Sequence, residues 1–242
     1  MSTEDIASVC SDTHNQPGEL KEYVRYWIRR GKAGNMRLIG AGDWFDFLPL
    51  GIEQWSPVSP SVVQLMEELD GYPLHLVEGN HDPLQWLAGI FQIYPNILVS
   101  HDYQFCTHDR TYHVSHGHQY SLDWGYLGLN NFAPHLVEWM VRHHPTAWYR
   151  FCKSRNWLAS LDLPGGVEHE TLTPLSRIIR AGAQRSAVEH KRCEIFGHTH
   201  LSGRETIGVS SRAGFRSVWV DCGNLPDGTY CNITDDARLM FL

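Results

Sequence analysis

Long hydrophobic runs are missing from this 242-residue sequence. No stretch approaches the roughly 18 apolar residues that a membrane-spanning helix requires. Cysteines are few, at positions 10, 106, 152, 193, 222 and 231, and none forms a C-x-x-C pair. Free buried thiols are therefore expected, with Cys10 and Cys193 in apolar, strand-like runs. Positive charge is missing from one long stretch. No Lys or Arg stands between Arg37 and Arg110, while ten carboxylates do, from Asp43 to Asp109. Such a stretch repels a phosphate backbone, which argues against extended nucleic acid as a partner. It attracts cations instead. The N-terminus, MSTEDIASVC, has neither the basic residues nor the apolar core of a secretory signal, so a reducing, cytoplasmic location is expected. Internal repeats and low-complexity segments are missing too.

What is present is an ordinary globular balance, 42% hydrophobic and 19% charged, with a formal charge of -7. Histidine is the exception, at 15 residues. The length suits one compact domain over residues 1–242. Short apolar runs at Ile6 to Cys10, Leu38 to Ala41, Leu74 to Val77, Ile97 to Val99, Tyr112 to Val114 and Cys193 to Phe196 read as strands. Leu20, Tyr23, Val24, Trp27 and Ile28 recur at helical spacing, with Gly31 as the expected C-terminal cap. A second helix starts at Ser59 and Pro60 and closes at Gly71. Asp82 to Tyr94 and Thr173 to Lys191 also read as helical. The tail from Arg216 reads as strands broken by turns such as Pro226-Asp227-Gly228. The alternation predicts an α/β fold with a β-rich C-terminal part and a helical insertion near residues 120–165.

Five motifs follow five of these strands: Asp12-Thr13-His14, Gly42-Asp43-Trp44-Phe45-Asp46, Gly79-Asn80-His81-Asp82, His116-Gly117-His118 and Gly197-His198-Thr199-His200. Ligands of open α/β sheets bind at the carboxyl ends of strands, so one spatial rule brings all five to one rim. Singly, each reads as well as a turn. Together they offer carboxylates, imidazoles and an amide without a thiolate, a donor set for Mn, Fe, Zn or a similar divalent ion. Seven candidates exceed what one tetrahedral site needs and match two metals sharing a carboxylate, the arrangement that clamps a phosphoryl group for attack by a bridging hydroxide.

In this order the motifs resemble the calcineurin-like metallophosphoesterase family. The resemblance spans residues 12–200 and implies a four-layer α/β/β/α sandwich around a binuclear centre. It implies that Asp12, His14 and His200 hold one metal, that Asn80, His116 and His198 hold the other, and that Asp43 bridges. Two divalent ions are implied, manganese first, with Fe, Zn, Ni and Co as alternatives. His81 matches the non-ligand histidine that assists the leaving group, with Asp82 as its carboxylate partner. Gly42-Asp43-Trp44-Phe45-Asp46-Phe47, the insertion and the overall size are similar to the UDP-2,3-diacylglucosamine pyrophosphatase branch. That branch usually has Arg at His81, His-Gly-Asp at His116-Gly117-His118, and Pro shortly after the last motif, where Leu201-Ser202 stands here.

Within the insertion, Arg142, Arg150, Lys153 and Arg155 stand against Glu138 alone over residues 134–161, among Trp139, Trp148 and Trp157. As a cap, this segment would hold a substrate phosphate with its basic residues. The alternative is a small self-contained core with a solvated basic face. The expected activity is metal-dependent hydrolysis of a phosphodiester, diphosphate or phosphomonoester of a small or lipid-linked molecule. Membrane contact would be peripheral at most, and no obligate protein partner is implied. The rivals are a nuclease of the same family and a non-catalytic metal-binding scaffold.

Overall fold

The structure is a computed structural model that describes residues 5–107, 110–121, 144, 147, 174–198, 207–210, 217–222, 225–227, 230–234 and 239–241. The elements in chain order are β1 (Asp5–Cys10), α1 (Glu22–Ala33), β2 (Arg37–Ala41), α2 (Phe47–Leu50), α3 (Pro60–Leu69), β3 (Leu74–Val77), α4 (Leu84–Phe91), β4 (Ile97–Ser100), β5 (Tyr103–Thr107) and β6 (Arg110–Val114). There follow α5 (His118–Ser121), α6 (Pro174–His190), β7 (Cys193–Phe196), β8 (Ile207–Ser210), β9 (Ser217–Asp221), β10 (Cys231–Thr234) and β11 (Leu239–Phe241). Apart from α5, His144 and Ala147, the expected insertion lies outside the described residues.

Two sheets form. The first has the order β11-β10-β1-β2-β3-β4, with β1 to β4 mutually parallel and β10 antiparallel to β1. The second has the order β5-β6-β7-β9-β8, with β6, β7 and β9 parallel. The period-2 alternation of strands decides which side chain faces which core. Leu38, Leu74 and Leu76 join the apolar faces of α1, α3 and α4 in one cluster. Their neighbours Ile39, Ala41 and Val77 turn the other way and meet Val114, Ile195 and Val220 of the second sheet. Phe196 points away from that shared core, toward Ile179 and Ala183 of α6.

Local details depart from the expected boundaries. α1 runs through Gly31 and ends against Gly34. Gly31 is buried, and a Cβ there would collide with Leu38, so the glycine serves close helix–sheet approach rather than termination. α3 starts at Pro60 as read, but Asp70 makes the left-handed turn at its end, with φ 49°. The Asp82 end of the helix expected over Asp82 to Tyr94 is loop, because α4 begins only at Leu84. β5 and β8 join the expected strands. The thiols of Cys10, Cys193, Cys222 and Cys231 are buried and that of Cys106 is exposed. No helix among the described residues is long and apolar enough to cross a membrane.

Candidate metal centre

The parallel register does what the strand-end rule requires. Cys10 pairs with Gly40, Ala41 with Val77 and Val114 with Ile195, so the loops after β1, β2, β3, β6 and β7 leave on one side. Backbone bonds then stitch them together. Asp12 N–H donates to the Gly42 carbonyl (3.1 Å), His14 N–H to the Asp43 carbonyl (3.0 Å) and Gly197 N–H to the His116 carbonyl (3.0 Å). The turns are tight. Asp12, His14, Asp43 and His198 have φ of 55°, 46°, 53° and 70°, four of the seven described non-glycine residues in that region. Each such residue costs on the order of 1–3 kcal/mol and persists only where its surroundings over-determine it.

Aromatic burial anchors the second loop. Trp44, Phe45 and Phe47 are wholly buried on the helix side, with Trp44 edge-on to Trp27 at 5.6 Å and Phe45 stacked on Phe47 at 5.3 Å. Each contributes roughly 1.5–3 kcal/mol by burial. Their neighbours Asp43 and Asp46 project toward the site. Gly79 sits so close behind Asp43 that a Cβ would strike its carboxylate.

His116 is the hub of one half. Its Nδ1 lies 2.8 Å from the Ala41 carbonyl. Its Nε2 lies 3.1 Å from Asn80 Oδ1, 3.2 Å from Asp43 Oδ2 and 3.0 Å from His198 Nδ1. Asp43, His116 and His198 are buried and offer ligand atoms within 4.8 Å of one another. A second group, His14, Asp43 and His81, meets the same distance, so Asp43 is common to both. Asp12 is buried beside them, its Oδ2 accepting from the His198 N–H (2.9 Å) and from the Ser11 hydroxyl. Buried imidazole and carboxylate donors with no thiolate fit a borderline divalent ion.

The charges show how strongly this corner is polarised. Burial pushes the Asp43 carboxyl up, but His116, His81 and His14 outweigh it and hold Asp43 well below the usual carboxylate range. Burial opposes charge on the two imidazoles, yet the Asp43 carboxylate pulls His116 up to about 10 and His81 up to about 9. Burial and the neighbouring His116 push His198 well below its ordinary value, and push His118 to about 3.

Asp82 is placed differently from the expectation of a partner to His81. Its Oδ1 accepts from Asp43 N (2.9 Å) and Gly79 N (2.8 Å), and its Oδ2 from Trp44 N (2.7 Å) and Phe45 N (3.2 Å). It ties the second loop to the third. The carboxylate bonded to the His81 ring is Asp46, whose Oδ1 lies 2.9 Å from His81 Nδ1 and 2.8 Å from His14 Nδ1. The sequence motif alone assigns Asp46 no role. The three-residue spacing from Asp43 was the available signal. His81, expected as a non-ligand, sits within ligand distance of His14 and Asp43. His200, Arg142, Arg150, Lys153 and Arg155 lie outside the described residues.

Parallel strands from two sheets deliver nitrogen and oxygen donors to one rim, the arrangement of a candidate divalent-metal site. A calcineurin-like phosphoesterase family model matches residues 8–202, which takes in all five motif loops. The chain belongs to the calcineurin-like phosphoesterase family, hydrolases acting on phosphoester bonds. Among solved structures it is similar to Yfce, a phosphoesterase from E. coli, at 16% identity and TM-score 0.43, covering 98% of this chain and 97% of that one. It is also similar to an archaeal phosphodiesterase, at 14% identity and TM-score 0.41, covering 98% of both. A predicted phosphoesterase from Streptococcus pneumoniae matches at 13% identity and TM-score 0.37, covering 100% of this chain and 98% of that one. A search of curated proteins finds no match.

Proposed function

We propose that the chain is a binuclear phosphoesterase that hydrolyses a phosphodiester, diphosphate or phosphomonoester of a small or lipid-linked molecule. The observation that carries this reading is Asp43, the one carboxylate common to both donor groups. In the proposed assignment Asp12, His14 and His200 hold one ion and Asn80, His116 and His198 the other, with Asp43 shared. Manganese suits the donor set, as would Fe, Zn, Ni or Co. Divalent ions bound there supply Lewis-acid polarisation of the phosphoryl oxygens and a water acidified toward neutrality.

The chain's own residues do the rest. Asp43 presents Oδ2 toward His116, while its Oδ1 accepts the His81 N–H at 2.8 Å. His81 carries the proton that the departing oxygen needs. Cations on Asp43 would cancel its pull on His81. The Asp46 hydrogen bond would remain and would fix the ring's tautomer and direction. The finer reading is a UDP-2,3-diacylglucosamine-like substrate, with Arg142, Arg150, Lys153 and Arg155 on its diphosphate. It rests on Gly42-Asp43-Trp44-Phe45-Asp46-Phe47 and the basic insertion. A cytoplasmic location with peripheral membrane contact accompanies it.

The test is a panel of metals crossed with substrates: generic mono- and diesters, nucleoside diphosphates and UDP-sugar lipids. Metal-dependent turnover of at least one class, lost in His198→Ala, is expected. No turnover with any metal, in a protein that binds the ions, would refute the catalytic reading in favour of a scaffold.

A further inference from the structure

The Thr13–His14 peptide is gripped from both sides. On one side, the Thr13 carbonyl accepts two hydrogen bonds from the start of α1, from Lys21 Nζ at 2.9 Å and from the Tyr23 hydroxyl at 2.7 Å. On the other, the His14 N–H donates to the Asp43 carbonyl at 3.0 Å. The flanking residues Asp12 and His14 both lie in the left-handed region. A flip of that peptide would relieve the positive φ of His14, because φ of a residue changes with the plane preceding it. The two donors of α1 oppose the flip. Asn15 extends the grip: it accepts the Lys21 N–H at 3.2 Å and donates to Thr13 Oγ1 at 2.9 Å and to the Trp44 carbonyl at 3.0 Å.

Lys21 is a costly residue for this place. It occupies the N-cap of α1, where Ser, Thr, Asp or Asn is preferred and where the helix dipole disfavours a cation. Its ammonium is also half-buried, which penalises its charge. A residue that conflicts with local preference needs a compensating reason elsewhere in the structure. Here the reason is a charge-assisted bond to a carbonyl that sits between two site residues.

We propose that Lys21 and Tyr23 are positioning residues, which lock the Thr13–His14 peptide and thereby aim the His14 ring at the metal centre. The inference rests on the proposed reading of that centre for its consequence, and on the hydrogen bonds alone for its geometry. Neither side chain needs to touch metal or substrate. The conservative exchange Lys21→Arg keeps a donor and a charge. Lys21→Met removes both while keeping the aliphatic stem, and Tyr23→Phe removes only the hydroxyl.

The test uses two readouts on the full chain. The first is the His14 side-chain resonance in metal-free protein, followed by two-dimensional 1H–15N NMR. The second is manganese affinity by calorimetry, with a melting temperature for each variant. Lys21→Met/Tyr23→Phe should shift or broaden the His14 signal and weaken manganese binding about 10-fold or more, the usual effect of losing outer partners of a ligand. Lys21→Arg should stay near wild type. An unchanged His14 resonance with unchanged manganese affinity in the double variant would overturn the proposal, and so would a lowered melting temperature as its sole effect. Manganese binding by the wild type separately decides the reading of the centre, since the His14 signal is read without metal.

Discussion

Replacing Asp82 with alanine tests how the second and third loops are joined. The carboxylate accepts four backbone N–H groups, at 2.9, 2.8, 2.7 and 3.2 Å, and is wholly buried. Alanine leaves all four donors without this acceptor. An unmade bond to a buried donor costs about 1–3 kcal/mol, so the sum lies between about 4 and 12 kcal/mol if no water enters. Water entering the space left by the side chain offsets part of this, which makes a loss of about 4 kcal/mol the expected figure. That is a large share of the roughly 5–15 kcal/mol that holds a typical domain folded. Asp82→Asn keeps one acceptor oxygen and turns an NH2 toward the other two donors, so about half the loss is expected. Urea unfolding of the metal-free protein reads this directly. With a slope of about 2 kcal/mol per molar, the alanine midpoint should fall by roughly 2 M. A midpoint within about 0.5 M of wild type would refute the view that Asp82 carries the loop–loop junction.

Further outcomes follow from the structure. Metal-free protein should lose stability as pH rises from about 6.5 through 9 to 10, because His81 and His116 are held above their unfolded value, so that their stabilisation is complete below it and is lost as pH climbs through the folded values. Saturating manganese should reverse that slope, since ligand imidazoles must be neutral; urea melts at pH 6 and 9 with and without metal check both. His81→Gln should keep metal uptake but lower kcat by about 100-fold or more, seen by calorimetry beside steady-state kinetics. Glu194→Ala should destabilise by about 3–5 kcal/mol in chemical unfolding. It strips a buried carboxylate from His113 Nδ1 (2.6 Å), Arg192 Nε (2.7 Å) and Ser186 Oγ (2.7 Å).

The five motifs are legible as a set, because five short apolar runs each end in metal-ligating residue types, although each alone reads as well as a turn. His116, Asn80, Asp43 and His198 do meet within hydrogen-bond distance around one ring nitrogen. The roles of the carboxylates around them were not legible. Asp46 and Asp82 look alike in sequence, yet one faces two imidazoles and the other four backbone N–H groups. Loop curvature makes that choice, and the left-handed φ angles behind it depend on contacts between loops far apart in the chain. β5 has no apolar run to mark it, because only Tyr103 and Phe105 face inward, alternating with exposed Gln104 and Cys106, although its pairing with β6 is regular. Gly31 reads as a stop signal in sequence because the approach of Leu38, which explains it, is a tertiary contact.

The proposed centre requires Asp43 to be shared by two metal sites. Calorimetric titration of metal-free wild type with manganese should count two ions per chain. The same titration of His198→Ala should lose tight binding at one site. Asp43→Ala, checked as folded by circular dichroism, should lose tight binding at both. Two ions bound by Asp43→Ala with wild-type affinity would rule out the shared carboxylate.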